Sequence, residues 1–176
     1  MKKQDILENQ VNLAYLALGS NLGDKTNNLN KSIDLIQKEG IFIKKRSKFY
    51  STKSWPNKNF PHFINSIILI ETKLNLTELF LKLKKIEKKL GRIKSKRNHP
   101  RLCDIDIIDF NGEIIHRKLE NHKLNIPHKR MHNRNFVLFP LYELDKNWVH
   151  PKLNTNIVVL MSNLTSEQLL GIKIAQ

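Results

Sequence analysis

Cysteine, acidic side chains and long apolar runs are all scarce in this sequence. Its 176 residues include one cysteine, Cys103, which excludes an internal disulfide and favours a reducing compartment. No apolar run approaches the roughly 20 residues of a membrane span. The stretch from Met1 to Gln10 lacks the apolar centre of a secretory signal. We therefore expect a cytoplasmic protein with no membrane partner.

The shortage of acids gives the chain a strongly basic balance. Sixteen Asp and Glu face 31 Lys and Arg, so the formal net charge is +15 and the pI is about 10.0. Such a charge attracts polyanions. However, most of the cations are lysines, and abundant Lys, Asn and Ile together are what AT-rich codons produce. A basic surface also supplies no base readout. The charge alone therefore does not predict a nucleic-acid partner.

Length and periodicity predict one domain over residues 11–176, after an extension of residues 1–10. The predicted strands cover 11–18, 41–50, 63–74 and a stretch from Asp104, and the predicted helices run from Asp24 to Gly40 and from Asn75 to Gly91. Asn111-Gly112 signals a hairpin turn before a returning strand at 113–115, and the tail predicts a strand at 157–160 and a helix near Ser166. The β-α-β-β-α-β order predicts an α+β, ferredoxin-like fold, an antiparallel sheet flanked by helices in an α-β-α arrangement.

Asp104 and Asp106 are the strongest chemical signal. They alternate with Ile105 and Ile107, as in a strand with one face in a core. Residues two apart on a strand point the same way, about 6.5–7 Å apart at Cα, so the two carboxylates could share magnesium. The alternative is a solvent-facing pair on an exposed strand. Six of the seven arginines lie between Arg92 and Arg134 and flank the pair, which favours a phosphoryl-transfer site.

Other candidate motifs are weaker. Gly19 to Asp24 allows a tight turn but is no Walker A loop. His128 and His132 have helical i, i+4 spacing, yet no H-E-x-x-H pattern or third ligand accompanies them. The loop 51–62 carries Trp55 and Phe60, which either cover a planar ligand or pack back onto the core. Glu87 sits among lysines, where a surface ion pair is the simple interpretation.

Together, short segments resemble the 6-hydroxymethyl-7,8-dihydropterin pyrophosphokinase family, in its order and across nearly the whole chain. The segments are Leu16 to Gly23, Phe49 to Thr52, Phe63 to Asn65, Ile86-Glu87 with Gly91-Arg92, Pro100 to Asp106, Ile126 to His128, and Arg134 to Leu138. The resemblance implies transfer of the β,γ-diphosphate of ATP to the pterin hydroxymethyl oxygen, with release of AMP. It also implies two Mg²⁺ ions held by Asp104 and Asp106.

The resemblance also implies roles for side chains around ATP. Arg92 and Arg101 would be loop arginines that engage the phosphates, which suits the planar fork of a guanidinium. The remaining nucleotide positions would be Lys94, where many members have Arg, together with Glu87, Arg97, Ile107, Lys123, Asn125, His128 and Arg134.

For the pterin, the implied positions are Thr52, Lys53, Trp55, Phe63, Asn65 and Phe136. Aromatic rings can sandwich a flat pterin, and an Asn amide can match its alternating donors and acceptors. The chain departs from the family pattern at two places. Asn98 and His99 stand before Pro100-Arg101 where the family often has a Trp, and Lys53 replaces the Pro or acidic residue often found after Thr52.

Two rival interpretations remain at this point. An RNA-binding module could share the β-α-β-β-α-β order, but its aromatic K/R-G-F/Y-G/A-F-V segment is absent. An inactive structural relative would not need the intact Asp and Arg set. We expect a monomer that acts on small molecules and has no nucleic-acid partner.

Overall fold

The computed structural model describes residues 11–55, 57–91, 99–119 and 122–175, and these contain ten strands and five α-helices. The strands are β1 (Asn12–Ser20), β2 (Phe42–Arg46), β3 (Tyr50–Thr52), β4 (Phe63–Thr72), β5 (Asp104–Phe110), β6 (Ile115–Leu119), β7 (His122–Ile126), β8 (Val149–His150), β9 (Thr155–Asn156) and β10 (Ile172–Ile174). The helices are α1 (Lys25–Lys38), α2 (Leu76–Lys89), α3 (Asn135–Leu144), α4 (Ile157–Ser162) and α5 (Ser166–Leu170), with a 3₁₀ turn at Met131–Asn133.

One antiparallel sheet organises the molecule. Its strand order is β10-β3-β4-β1-β5, and β2 also pairs with β4. The strand β1 is hydrogen-bonded along both edges, to β4 and to β5. Two small ribbons, β6-β7 and β8-β9, lie outside this sheet.

Both faces of the sheet are covered, because β1 is apolar on both sides. Leu16 and Leu18 join a core with α1 and α2, whereas Tyr15 and Ala17 face a second core built with α3 and α4. This arrangement confirms an antiparallel sheet flanked by helices. Among the described residues, no helix is both long and apolar enough to cross a membrane.

The first two helices begin where the sequence predicts. Asp24 caps α1, its side chain accepting from Asn27 N–H. Asn75 and Glu78 form the capping box of α2, each accepting from the backbone of the other.

Three predictions of secondary structure were wrong. Residues 157–160 form α4 rather than a strand, because Asn156 caps a turn that buries Ile157 and Leu160. The 41–50 stretch divides into β2 and β3 around Ser47, whose hydroxyl accepts from Ile67 N–H. The Asn111-Gly112 turn exists, with positive φ at both residues, but the strand that follows pairs with β7 and not with β5.

Candidate active site

Asp104 and Asp106 stand on the same face of β5. Asp104 lies opposite Gly19 and Asp106 opposite Ala17 in the register with β1. Both are half-buried, while Ile105 between them is buried in the α1-α2 core. The carboxylates therefore point to the α3 side of the sheet, as their spacing predicts. The alternative of an exposed strand is wrong, since only 24% of the Asp104 side chain is accessible.

Cationic side chains surround this pair. Arg101 donates from Nη1 to Asp104 Oδ2 at 2.8 Å. Burial and the charge of Arg130 lower the pKa of Arg134, and the two carboxylates partly offset that shift. Burial also lowers the pKa of His128, against the opposing effect of Asp106. A partly desolvated guanidinium next to carboxylates is well placed to bind an anionic ligand.

Asn21 fixes the position of Arg101. Its Oδ1 accepts from Arg101 N–H at 2.8 Å, and its own N–H donates to Arg101 O at 3.2 Å. The Asn21 amide also donates to Ser54 Oγ at 3.3 Å and to Pro61 O at 3.4 Å. One buried amide thus joins the loop after β1, the loop 53–62 and the approach to β5.

Asn65, Thr52 and Phe63 form a second group on the α3 side of the sheet. Asn65 is buried and donates from Nδ2 to Thr52 Oγ1 at 3.0 Å. Asn65 on β4 lies opposite Gly19 on β1. A Cβ added at Gly19 would stand 3.2 Å from Asn65 Oδ1 and 3.7 Å from the Phe63 ring. Gly19 therefore leaves room for the Asn65 amide and the Phe63 ring.

The loop 53–62 borders this group. Trp55 is 70% exposed, so the alternative that it packs back onto the core is wrong. Phe60 is half-buried, with its ring centroid 5.8 Å from that of His99. Lys53 is exposed. Ser54 donates to Pro61 O at 2.9 Å, which closes the base of the loop.

Phe136 enters from the first turn of α3, which packs over β4 and β3. The Arg134 guanidinium carbon lies 5.3 Å from the Phe136 ring centroid. His128 is anchored to the edge of β5, since its N–H donates to Ile108 O at 3.0 Å. Arg134, His128 and Phe136 thus come from one connection, residues 128–136, on the carboxylate face.

Three predicted nucleotide positions lie elsewhere. Glu87 is buried, pairs with Lys84 at 2.9 Å and accepts from Ile105 N–H at 2.7 Å, so a surface ion pair is wrong. Ile107 is buried in the core on the opposite face of β5. On β7, Asn125 Oδ1 lies 3.0 Å from His116 Nδ1.

Five further residues singled out in the sequence do not contact the carboxylate pair in the described part of the chain or lie outside that part. Lys123, on β7, is exposed. Arg92, Lys94 and Arg97 lie outside the described residues. His132 packs against His150, with ring centroids 5.9 Å apart, rather than on a helix with His128.

The donor set suits a hard divalent cation. Within residues 11–55, 57–91, 99–119 and 122–175, no three His, Cys, Asp or Glu side chains converge as a metal-binding group. Magnesium commonly takes only one or two protein carboxylates and fills its remaining positions with water and phosphate oxygens. Asp104 and Asp106 therefore fit Mg²⁺ better than zinc, which requires three or four protein ligands.

Sequence reasoning assigned no role to Asn21 or Arg130, and it gave Gly19 only a place in a segment that allows a tight turn. Asn21 and Gly19 lie in the quoted Leu16 to Gly23 segment, but their partners are 33 or more positions away in sequence. Only the folded chain brings those partners together. An Asn immediately after a buried strand in a Gly-containing turn was the available signal.

Comparison with known proteins identifies the family. The model of the family described as 7,8-dihydro-6-hydroxymethylpterin-pyrophosphokinase (HPPK) matches residues 15–146. The 2-amino-4-hydroxy-6-hydroxymethyldihydropteridine pyrophosphokinase of Aquifex aeolicus is 39% identical over 137 residues, 78% of this chain and 82% of that protein. The folic acid synthesis protein FOL1 of Dictyostelium discoideum is 38% identical over 153 residues. These residues are 87% of this chain and 22% of FOL1.

A solved structure shares the fold. The crystal structure of wild-type Plasmodium falciparum HPPK-DHPS with STZ-DHP has a TM-score of 0.70 at 20% identity, covering 89% of this chain and 42% of that one. The chain thus spans less than half of that structure. The match over residues 15–146 includes the carboxylate pair, Asn65 and the connection 128–136. This chain belongs to the 7,8-dihydro-6-hydroxymethylpterin-pyrophosphokinase family.

Proposed function

We propose that this chain transfers the β,γ-diphosphate of ATP to the hydroxymethyl group of 6-hydroxymethyl-7,8-dihydropterin and releases AMP, as a step in folate biosynthesis. The observation that carries the proposal is the shared sheet face. Asp104 and Asp106 lie opposite Gly19 and Ala17, respectively, along one edge of β1, and Asn65 lies opposite Gly19 along its other edge. A metal-binding pair and a polar pocket are thereby separated by one strand.

Cationic side chains near the carboxylate pair would bind the phosphate groups of ATP. Arg101 and Arg134 can each bind phosphate oxygens through a planar fork. Burial lowers the pKa of His128 and so favours the neutral ring, which can form a hydrogen bond to a ligand. Magnesium bound by Asp104 and Asp106 would neutralise charge on the phosphate oxygens.

Positioning is the main task of the protein side chains. Transfer of a diphosphoryl group requires the alcohol oxygen and the leaving group to lie in line, and needs no covalent protein nucleophile. Asn65, held by Thr52, would bind the pterin edge, and Phe63 and Phe136 would contact its faces. Trp55 and Lys53 border the opening from the loop 53–62.

The remaining features are proposals of finer detail. The strand order β5-β1-β4 followed by β2 and β3 supports a ferredoxin-like topology. Asp104 and Asp106 would together hold two Mg²⁺ ions. The single cysteine supports a cytoplasmic location. We also propose that the chain works as a monomer, which light scattering would test. A nucleic-acid function has no support from the family match.

Product identity tests the proposal. The purified chain is incubated with MgATP and 6-hydroxymethyl-7,8-dihydropterin, and the nucleotides are separated by ion-exchange chromatography. We expect AMP and pterin diphosphate in equal amounts. ADP as the product, or no pterin-dependent consumption of ATP, would contradict the proposal.

A variant pair links the activity to β5. Asp106→Asn removes one carboxylate charge with little change in size, and we expect AMP formation to fall at least about a hundredfold. Asp34→Asn makes the same change at an exposed position on α1 and should leave the rate unchanged. Equal rates for the two variants would remove Asp106 from the site.

A further inference from the structure

The C-terminal segment, residues 165–175, lies beyond the 15–146 range that the family model matches. It nevertheless contacts three parts of the candidate site. These contacts involve β3, the loop 53–62 and the connection 128–136. The segment is therefore a candidate for positioning the site from outside the family's common region.

The first contact extends the main sheet. The strand β10 pairs with β3, with Ile172 opposite Thr52 and Ile174 opposite Tyr50. Ala175 N–H continues the pairing by donating to Phe49 O at 2.8 Å. This pairing supports the strand that carries Thr52, the partner of Asn65.

The second contact is weaker. Lys58 in the loop 53–62 pairs with Glu167 at 2.5 Å. Their side chains are 60% and 74% exposed, and exposed ion pairs of this kind add little stability. This pair does not carry the inference.

Gln168 makes the third and most specific contact. It donates from Nε2 to Asn133 O at 2.8 Å, and its own carbonyl accepts from Asn135 Nδ2 at 2.6 Å. The acceptor of the second bond is the backbone oxygen of Gln168, and the two bonds bracket Arg134. Gln168 is itself held in place by a capping box with Thr165 at the start of α5.

We propose that Gln168 is a positioning residue for the transfer reaction, and that it acts by holding Arg134 and the adjacent Phe136 over the carboxylate face. This inference rests on the proposed function for its kinetic consequence. Its structural part concerns only the backbone at residues 133–136. The two parts can therefore fail separately.

Gln168→Glu is the most selective change. A glutamate keeps the oxygen that accepts from Thr165 N–H, but it loses the N–H donated to Asn133 O and sets a negative charge against that carbonyl. Loss of one hydrogen bond corresponds to about a five- to tenfold fall in kcat/KM for ATP. The control is Ser166→Ala, an exposed position on the same helix, for which we expect no change.

A double-variant comparison separates positioning from general destabilisation. If Gln168 acts through Arg134, then Gln168→Glu should have little further effect in an Arg134→Ala background. Multiplication of the two effects would overturn the proposal. If Gln168→Glu lowers Tm by more than about 5 °C, Gln168→Met provides the same test, since it keeps the length without the added charge.

Amide hydrogen exchange tests the structural part without substrate. Arg134 N–H donates to Met131 O at 3.1 Å, and Phe136 N–H donates to Asn135 Oδ1 at 2.7 Å. Both amides should exchange at least about fivefold faster in Gln168→Glu and at the parental rate in Ser166→Ala. Unchanged exchange would overturn the proposal whether or not the chain forms AMP, whereas absence of AMP alone would contradict the proposed function.

Discussion

Replacing Gly19 with alanine should weaken pterin binding and have little effect on ATP binding. Gly19 lies on β1 opposite Asn65 on one side and Asp104 on the other. A Cβ at Gly19 would stand 3.2 Å from Asn65 Oδ1 and 3.7 Å from the Phe63 ring. The first distance is too short for ordinary contact, so Asn65 or the strand must move by a few tenths of an ångström.

The strand is the less mobile of the two. Because β1 is hydrogen-bonded to β4 and β5 along both edges, the Asn65 amide must yield. Its shift would strain the 3.0 Å bond to Thr52 Oγ1 and misalign the amide that we propose binds the pterin edge. Loss of about 1–1.4 kcal/mol of hydrogen bonding corresponds to a five- to tenfold rise in the pterin Kd.

Pterin titration by calorimetry, with ATP KM measured in parallel, checks this prediction. We expect the pterin Kd to rise as stated and the ATP KM to stay within about twofold. In an Asn65→Ala background the added methyl has no amide to displace, so Gly19→Ala should then have almost no effect on Kd. An unchanged pterin Kd for the single variant would refute the reasoning.

Three further variants test other parts of the account. Arg101→Ala should lower kcat by at least about tenfold and change pterin Kd less, and the opposite ranking would exclude a phosphate role. Glu87→Gln weakens the acceptor for Ile105 N–H between the two aspartates, and should lower the free energy of unfolding by about 1–3 kcal/mol in urea titrations; no loss would show that the bond is unimportant. His150 is buried, and burial lowers its pKa below 6.5. Its stabilising contribution is therefore present above pH 6.5 and declines as pH falls below that value, so wild type should lose Tm on acidification faster than His150→Asn, and parallel curves would contradict this.

The carboxylate face could be predicted because it depends on local periodicity. Alternation places Asp104 and Asp106 on one side of β5 wherever that strand pairs. The central place of β1 follows the same logic, since Leu16 and Ala17 are both apolar while facing opposite sides of the sheet. Such features need no knowledge of distant partners.

The errors and omissions depend on tertiary partners. Residues 157–160 are all apolar and three of the four are β-branched, which is typical of a strand, but burial at Ile157 and Leu160 favours one helical turn. The partners of Asn21 and Gln168 come from loops that are far apart in sequence. Neither residue has a local pattern that would single out its long-range bonds.

The central claim is that Asp104 and Asp106 bind the divalent cation that accompanies ATP. Electron paramagnetic resonance can count bound Mn²⁺ in the presence of a non-hydrolysable ATP analogue, for wild type, Asp106→Asn and the exposed control Asp34→Asn. The account predicts tight Mn²⁺ binding that is retained in Asp34→Asn and weakened at least about tenfold in Asp106→Asn. Equal Mn²⁺ binding by all three proteins would contradict it.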